Sequence, residues 1–161
     1  MTILRYLILM SLIGWLGGLI FFSFVVAPTI FAVLPTRHMA GSVVARSLSA
    51  LHWIGLISGI VLLISSIVYS RLTRGTANPF ALPHLLVYAM LALTAISQFG
   101  ISPKMVALRS QMVEIDKLAP QDPLRAQFDA LHVWSVRLEG GVFLLGLILV
   151  YLTARRFGAA V

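Results

Sequence analysis

A long apolar run without any charged side chain is the feature that most constrains this chain. No charge lies between Arg5 and Arg37, and a helix needs only about 20 mostly apolar residues to cross a bilayer. The run is also far longer than the roughly 7–15-residue core of a signal peptide, so we expect it to be a retained membrane helix. With three further apolar runs, it predicts four spans at about 6–34, 51–70, 82–102 and 130–154.

The composition excludes a soluble enzyme. Of the 161 residues, 60% are hydrophobic and only 11% are charged, whereas soluble domains carry about 25% charged residues. Cysteine is absent, which excludes disulfides and thiolate metal sites. We therefore predict one transmembrane domain over residues 1–161: an all-α integral membrane four-helix bundle, with a short amphipathic helix between spans three and four.

Prolines and polar residues set the expected ends of these spans. Pro28 should bend the first span or begin a second, short helical piece, and Pro103 marks the far end of the third. Residues 104–125 have a soluble composition with apolar residues at roughly helical spacing, which predicts the amphipathic helix, ending near residues 119–120. The uncharged stretch 140–154 is too short to cross about 30 Å of hydrocarbon, so the fourth span must include Arg137 and Glu139.

The net charge of +7 comes from the ends of the apolar runs, where cations meet lipid headgroups. We therefore exclude nucleic acid as a partner and expect membrane lipids instead. An even number of spans puts both termini on one side, where short acid-free segments hold five arginines: Arg5, Arg71, Arg74, Arg155 and Arg156. By the positive-inside rule, we predict that both termini are cytoplasmic, in an inner or plasma membrane.

Polar residues collect in the half of the bundle away from the termini. At 100° per residue, His132, Ser135 and Glu139 form one stripe on the fourth span. Antiparallel threading adds three residues to this predicted polar cluster: His38, His52 and Gln98. Because a lone carboxylate in lipid is costly, we expect Glu139 to bond across helices, to His52 or Gln98 or through a water. We also expect it to be protonated for part of the physiological pH range.

Histidine and carboxylate side chains together raise the question of a metal or a haem. They suit zinc, copper or iron, and His52 and His132, at similar depth on facing helices, could hold a haem at its axial positions. No two candidate ligands are spaced i, i+4, however. We predict a polar cluster without a cofactor and leave the identity of any metal open.

Glycines at short spacing predict close contacts between helices. Gly14 and Gly18 are four residues apart with Gly17 beside them, and Gly140 and Gly141 are adjacent in span four. Small residues let membrane helices approach closely. We therefore assign these five glycines to helix packing.

The order of these features resembles a known family. Span one reads W-x-G-G-x-x-F-F from Trp15 and then A-P-x-x-F from Ala27, Pro103 ends span three, and span four opens F-x-x-L-H-x-x-S from Phe128. This pattern resembles the membrane family of the bacterial domain of unknown function numbered 4149, which is related to human transmembrane protein 205. The resemblance implies four helices and a membrane location, and it implies no particular activity.

The sequence contains no nucleotide-binding loop, Ser-His-Asp set or paired catalytic carboxylates, so we predict that the protein is not an enzyme. Our first hypothesis is a membrane protein that handles a cation, a proton or a metal through the polar cluster. The alternatives are a non-catalytic scaffold or accessory subunit, and a haem-binding redox protein. A homo-oligomer or a larger membrane complex is compatible with the first two hypotheses.

Overall fold

Four long helices make up the described part of the chain. A computed structural model describes residues 1–76, 78–112, 114–119 and 121–158. The helices are α1 (Thr2–Val33), α2 (Arg37–Arg74), α3 (Leu82–Gln111) and α4 (Pro123–Gly158), each long and apolar enough to cross a membrane. No strand occurs in the described ranges. The predicted all-α class and the multi-pass membrane architecture are confirmed.

Local signals in the sequence explain where these helices begin and end. Thr36 precedes α2, and its Oγ1 accepts a hydrogen bond from the Met39 N–H, which satisfies a backbone donor of the first turn. Gly75 ends α2 with a φ of 73°, a left-handed conformation that glycine adopts without steric cost. Asp122 Oδ1 accepts the N–H groups of Leu124 and Arg125 at the start of α4.

Two prolines interrupt helices without ending them. Pro28 follows a π-helical segment, Phe22–Val26, and Pro103 follows another, Ile96–Ile101. The wider i→i+5 turn changes which carbonyls are bonded just before each proline, where an α-helix would lose a bond and meet the ring. Pro28 therefore begins a short piece inside α1, as predicted, whereas Pro103 does not end its helix.

The polar segment between spans three and four differs in detail from the prediction. Helix α3 continues past Pro103 as Ser102–Gln111, and a separate turn of 3-10 helix follows at Ile115–Lys117. The expected helix is thus shorter and continuous with α3. Its predicted end falls partly on residue 120, which lies outside the described residues.

Each helix packs against the next one in the chain, α1 on α2, α2 on α3 and α3 on α4. We call the end with both termini and the α2–α3 connection the terminal end, and the opposite end the loop end. The core is mainly aliphatic toward the terminal end: Ile8, Leu12, Leu62, Val87, Met90, Val142 and Leu149.

Trp15 of α1 packs closely against two glycines of α2. Its side chain is 3% exposed, and a Cβ added at Gly55 would lie 2.5 Å from its Nε1. A Cβ added at Gly59 would lie 2.6 Å from its ring as well as close to Leu91. The indole thus occupies a groove that the two glycines of α2 provide.

The five glycines predicted to pack divide into two groups. A Cβ at Gly14, Gly18 or Gly141 would meet a side chain of a neighbouring helix at 3.4, 2.9 and 3.1 Å respectively. A Cβ at Gly17 would meet only Ile13 of its own helix, and one at Gly140 would meet no atom within 4 Å. The packing assignment therefore does not fit Gly17 and Gly140, because no atom of a neighbouring helix lies within 4 Å of a Cβ added at either position.

A cluster of arginine and aromatic side chains lies at the terminal end. Arg5 donates from Nε to the Tyr69 hydroxyl at 3.1 Å, and the Arg156 guanidinium lies 4.6 Å from the centre of the Tyr69 ring. Arg156 also donates to Ser70 Oγ at 2.7 Å. These contacts join α1, α2 and α4, because cations are attracted to aromatic faces.

Candidate functional site

The centre of the candidate site is a buried pair between α2 and α4. His52 Nε2 lies 2.6 Å from Oε1 of Glu139, and His52 Nδ1 lies 2.9 Å from Oε1 of Gln98 on α3. The His52 side chain is 2% exposed and that of Glu139 16%. One histidine therefore connects three helices within the apolar part of the bundle.

Two serines complete this buried polar cluster, which we define as His52, Glu139, Gln98, Ser97 and Ser49. Ser97 donates from Oγ to Glu139 Oε1 at 3.1 Å. Gln98 donates from Nε2 to Ser49 Oγ at 2.9 Å. Ser97 and Gln98 belong to the π-helical segment Ile96–Ile101. Its wider turn brings two consecutive side chains to the same cluster, which fits the frequent occurrence of π segments at functional sites.

The hydrogen bonds of the cluster determine how many protons the His52–Glu139 pair holds. The amide of Gln98 donates to Ser49, so its carbonyl oxygen faces His52 and can only accept. Nδ1 of His52 therefore carries a proton. One more proton must lie between Nε2 and Glu139 Oε1, because otherwise two lone pairs would face each other at 2.6 Å. The pair is then either imidazolium with carboxylate or imidazole with carboxylic acid, and it has no net charge in both forms.

A large cavity lies beside the cluster, toward the loop end. Its volume is about 810 Å³, and Glu139 lines its deep part. All four helices contribute to its walls, through residues within 19–31, 37–48, 102–109 and 125–143. Glu139 thus stands between the buried His52 and the cavity, and its Oε2 has no hydrogen-bond partner within the described part of the chain.

One face of α4 forms the longest wall of this loop-end cavity. Its lining positions recur every three or four residues, which is the spacing of one helical face: Arg125, Phe128, Asp129, His132, Ser135, Val136, Glu139, Gly140 and Phe143. By helix rise, Arg125 and Glu139 are about 21 Å apart along this wall. The cavity is therefore deep, with charged side chains near the loop end and aromatic side chains at its base.

The structure brings together only part of the predicted polar cluster. His52, Gln98 and Glu139 are in direct contact. His132 and Ser135 line the cavity without a hydrogen bond to the cluster in the described residues. His38 is separate: it lies about 21 Å from His52 by the rise of α2, and its buried Nδ1 has no partner among the described residues. Placing His38 in the cluster was wrong, because sequence threading gives only the half of the bundle and not the depth.

Sequence reasoning missed the two serines and the arginines of the cavity. Ser97 is a polar residue in an apolar span, and Ser49 lies three residues before His52, one turn away on the same helical face. Both positions could have been recognised in the sequence as candidates for the cluster. Arg109 and Arg125 also line the cavity, which nothing in their spacing indicates, because they come from separate helices.

The geometry of the cluster does not favour binding of a metal or a haem. Both ring nitrogens of His52 are hydrogen bonded, so axial ligation by His52 would break a contact to Gln98 or Glu139. Within the residues that the structure describes, no three His, Asp or Glu side chains group as a metal site would need. Among the described residues, the centre of the cluster is a hydrogen-bonded His–Glu pair.

Comparison with known proteins identifies a family but no activity. The profile of the domain of unknown function DUF4149 matches residues 10–114, about two-thirds of the chain, including His52, Ser97 and Gln98. The match ends before α4, which carries Glu139. Neither the curated proteins nor the solved structures give a match to this chain. By its sequence, the chain belongs to the DUF4149 family.

Proposed function

We propose that this protein handles protons in the membrane. In this proposal, the His52–Glu139 pair takes up and releases a proton through the loop-end cavity. The observation that supports it most directly is the 2.6 Å contact between Nε2 and Oε1, with Glu139 lining a cavity of about 810 Å³. Intramembrane carboxylates and histidines of this kind occur in proton relays.

The chemistry of the His52–Glu139 pair allows its net charge to change. With one shared proton the pair is neutral, so its burial is tolerable. Adding a proton gives imidazolium beside carboxylic acid, and removing one gives imidazole beside carboxylate. Each step places one unit charge in the apolar layer, where charges are costly. Such a step can drive a rearrangement of the surrounding helices, because the cluster connects α2, α3 and α4.

The residues around the cluster favour access of a proton to Glu139 from the loop end. Toward the terminal end the core beside the cluster is mainly aliphatic apart from the buried Thr94, and Leu62, Val87 and Met90 are almost fully buried. Toward the loop end the cavity reaches the level of His132 and Asp129. A proton would therefore reach Glu139 from the loop end.

An infrared titration of the purified protein tests this function. Wild type should show the carbonyl band of a protonated carboxyl at some pH between about 5 and 9, a window around the values known for buried acids. Glu139→Gln should lose this band, and Glu114→Gln should keep it, because Glu114 pairs with Lys117 in the 3-10 turn. Identical spectra for wild type and Glu139→Gln across the whole window would overturn the proposal.

Three further proposals accompany this function. We propose that both termini are cytoplasmic, on the arginine pattern at the terminal end. We also propose that the protein is not an enzyme and that, through the W-x-G-G-x-x-F-F pattern, it is related to human transmembrane protein 205. Assembly with itself or with a larger membrane complex stays a prediction, as does the scaffold alternative.

A further inference from the structure

We propose that the loop-end cavity binds one anionic phospholipid, with its phosphate at Arg109 and Arg125 and an acyl chain against the aromatic base. This site shares the loop-end cavity with the proposed proton route, but its charged contacts are Arg109 and Arg125 and not His52 or Glu139. Its volume, about 810 Å³, is in the upper part of the range of about 300–1,000 Å³ that is usual for ligand pockets.

Arg109 is a partly buried cation in the wall of the cavity. Arg109 donates from Nη1 to the Gly41 carbonyl at 2.8 Å, and its guanidinium lies 5.0 Å from the centre of the Phe128 ring. No carboxylate lies within ion-pair distance of it in the described residues. An arginine stays protonated in proteins. A half-buried cation of this kind gains from an anionic ligand.

Arg125 adds a second cation on the facing helix. It donates from Nη1 to the Leu118 carbonyl at 2.6 Å, and its Nε lies 3.8 Å from an oxygen of the exposed Asp129. Such a long ion pair with an exposed carboxylate contributes little to stability. Guanidinium groups match phosphate oxygens in geometry and charge, so the two arginines favour a phosphate over an uncharged headgroup.

The other end of the cavity is mainly aromatic, with Glu139 on the α4 wall. Phe22, Phe24 and Phe143 line it, and the rings of Phe24 and Phe143 meet edge to face with centres 6.4 Å apart. Arg125 and Gly140 are about 22 Å apart by helix rise. One leaflet with its headgroups is about 20–22 Å thick. The cavity therefore has the length and polarity of a lipid in the adjoining leaflet.

The position of the cavity favours a lipid over a soluble anion. Phe24 is 69% exposed and Val136 57%, and both line the cavity, so its wall between α1 and α4 continues onto the lipid-facing surface of the bundle. A lipid could enter sideways through this face. A free anion would use only the two arginines and leave the apolar part of the cavity without an occupant.

Native mass spectrometry of the full chain tests the inference. Protein reconstituted with phosphatidylglycerol should retain one lipid per chain, and Arg109→Gln and Arg125→Gln should each weaken retention by about tenfold or more, as charged hydrogen bonds predict. Arg71→Gln is the matched control, because this exposed arginine lies at the terminal end. His52 carries the proton in the proposed function but does not line the cavity, so His52→Asn should retain the lipid, and failure of the proton proposal would leave this one standing.

A second variant tests the cavity without touching its charges. Gly140→Leu would place a side chain in open cavity space, since a Cβ there meets no atom within 4 Å. It should fold normally and lose the lipid. Equal retention of phosphatidylcholine, full competition by inorganic phosphate, or unchanged phosphatidylglycerol binding in Gly140→Leu would each overturn the proposal.

Discussion

Nε2 of His52 lies 2.6 Å from Oε1 of Glu139 and links α2 to α4 in the apolar part of the bundle. The contact makes a carboxyl group tolerable at a depth where it would be costly alone. It also makes the two residues one unit, since neither can change its protonation without changing the bond to the other.

Replacing the carboxyl partner of His52 should destabilise the protein. Glu139→Ala leaves Nε2 of a buried histidine without its partner, which costs about 1–3 kcal/mol. Glu139→Gln should cost less, because the amide can still hydrogen-bond. Thermal unfolding in detergent measures both. Glu114→Ala, outside the bundle, should be close to wild type, and an equal loss of stability in Glu114→Ala and Glu139→Ala would contradict the assignment.

The groove that holds Trp15 should not accept a methyl group. Gly55→Ala puts a Cβ 2.5 Å from the rigid indole, and overpacking of this kind costs about 1–3 kcal/mol. Gly17→Ala is the control on the exposed face of α1 and should be neutral or stabilising, by up to about 1 kcal/mol, because alanine is the better helix former. The same melting temperature for both variants would show that the groove adapts.

Two adjacent arginines should differ in their effect on stability. Arg156 donates to Ser66 and Ser70 and lies against Tyr69, so Arg156→Ala should cost about 1–2 kcal/mol. Arg155 is exposed, and Tyr151 of its own helix is its neighbour, so Arg155→Ala should have little effect. Denaturation of the two variants side by side measures the difference. Equal stability would mean that the terminal-end cluster contributes nothing.

The orientation in the membrane can be measured with reporters fused to Val161. We expect a reporter that works only in the cytoplasm to be active there, because the acid-free segments with Arg71, Arg74, Arg155 and Arg156 should face the cytoplasm. A second reporter, inserted near Glu114, should give the opposite result. Activity of a periplasmic reporter at Val161 would reverse the orientation and leave the number of spans unchanged.

The sequence by itself determined the class of the protein and the number of its helices, because the length of an apolar run decides whether a segment can cross a bilayer. It also placed His132, Ser135 and Glu139 on one face of α4, because helical period alone fixes which side chains share a face.

Only the tertiary structure decided which residues meet. The sequence offered both His52 and Gln98 as partners of Glu139, and the rotation and depth of α2 relative to α4 selected His52. The sequence placed His38 in the same half of the bundle, but His38 lies at a different depth from the cluster. The sequence predicted a packing role for Gly17, whereas the structure places Gly55 against Trp15. These outcomes depend on how each helix is rotated and shifted against its neighbours, and packing of the whole bundle sets both quantities.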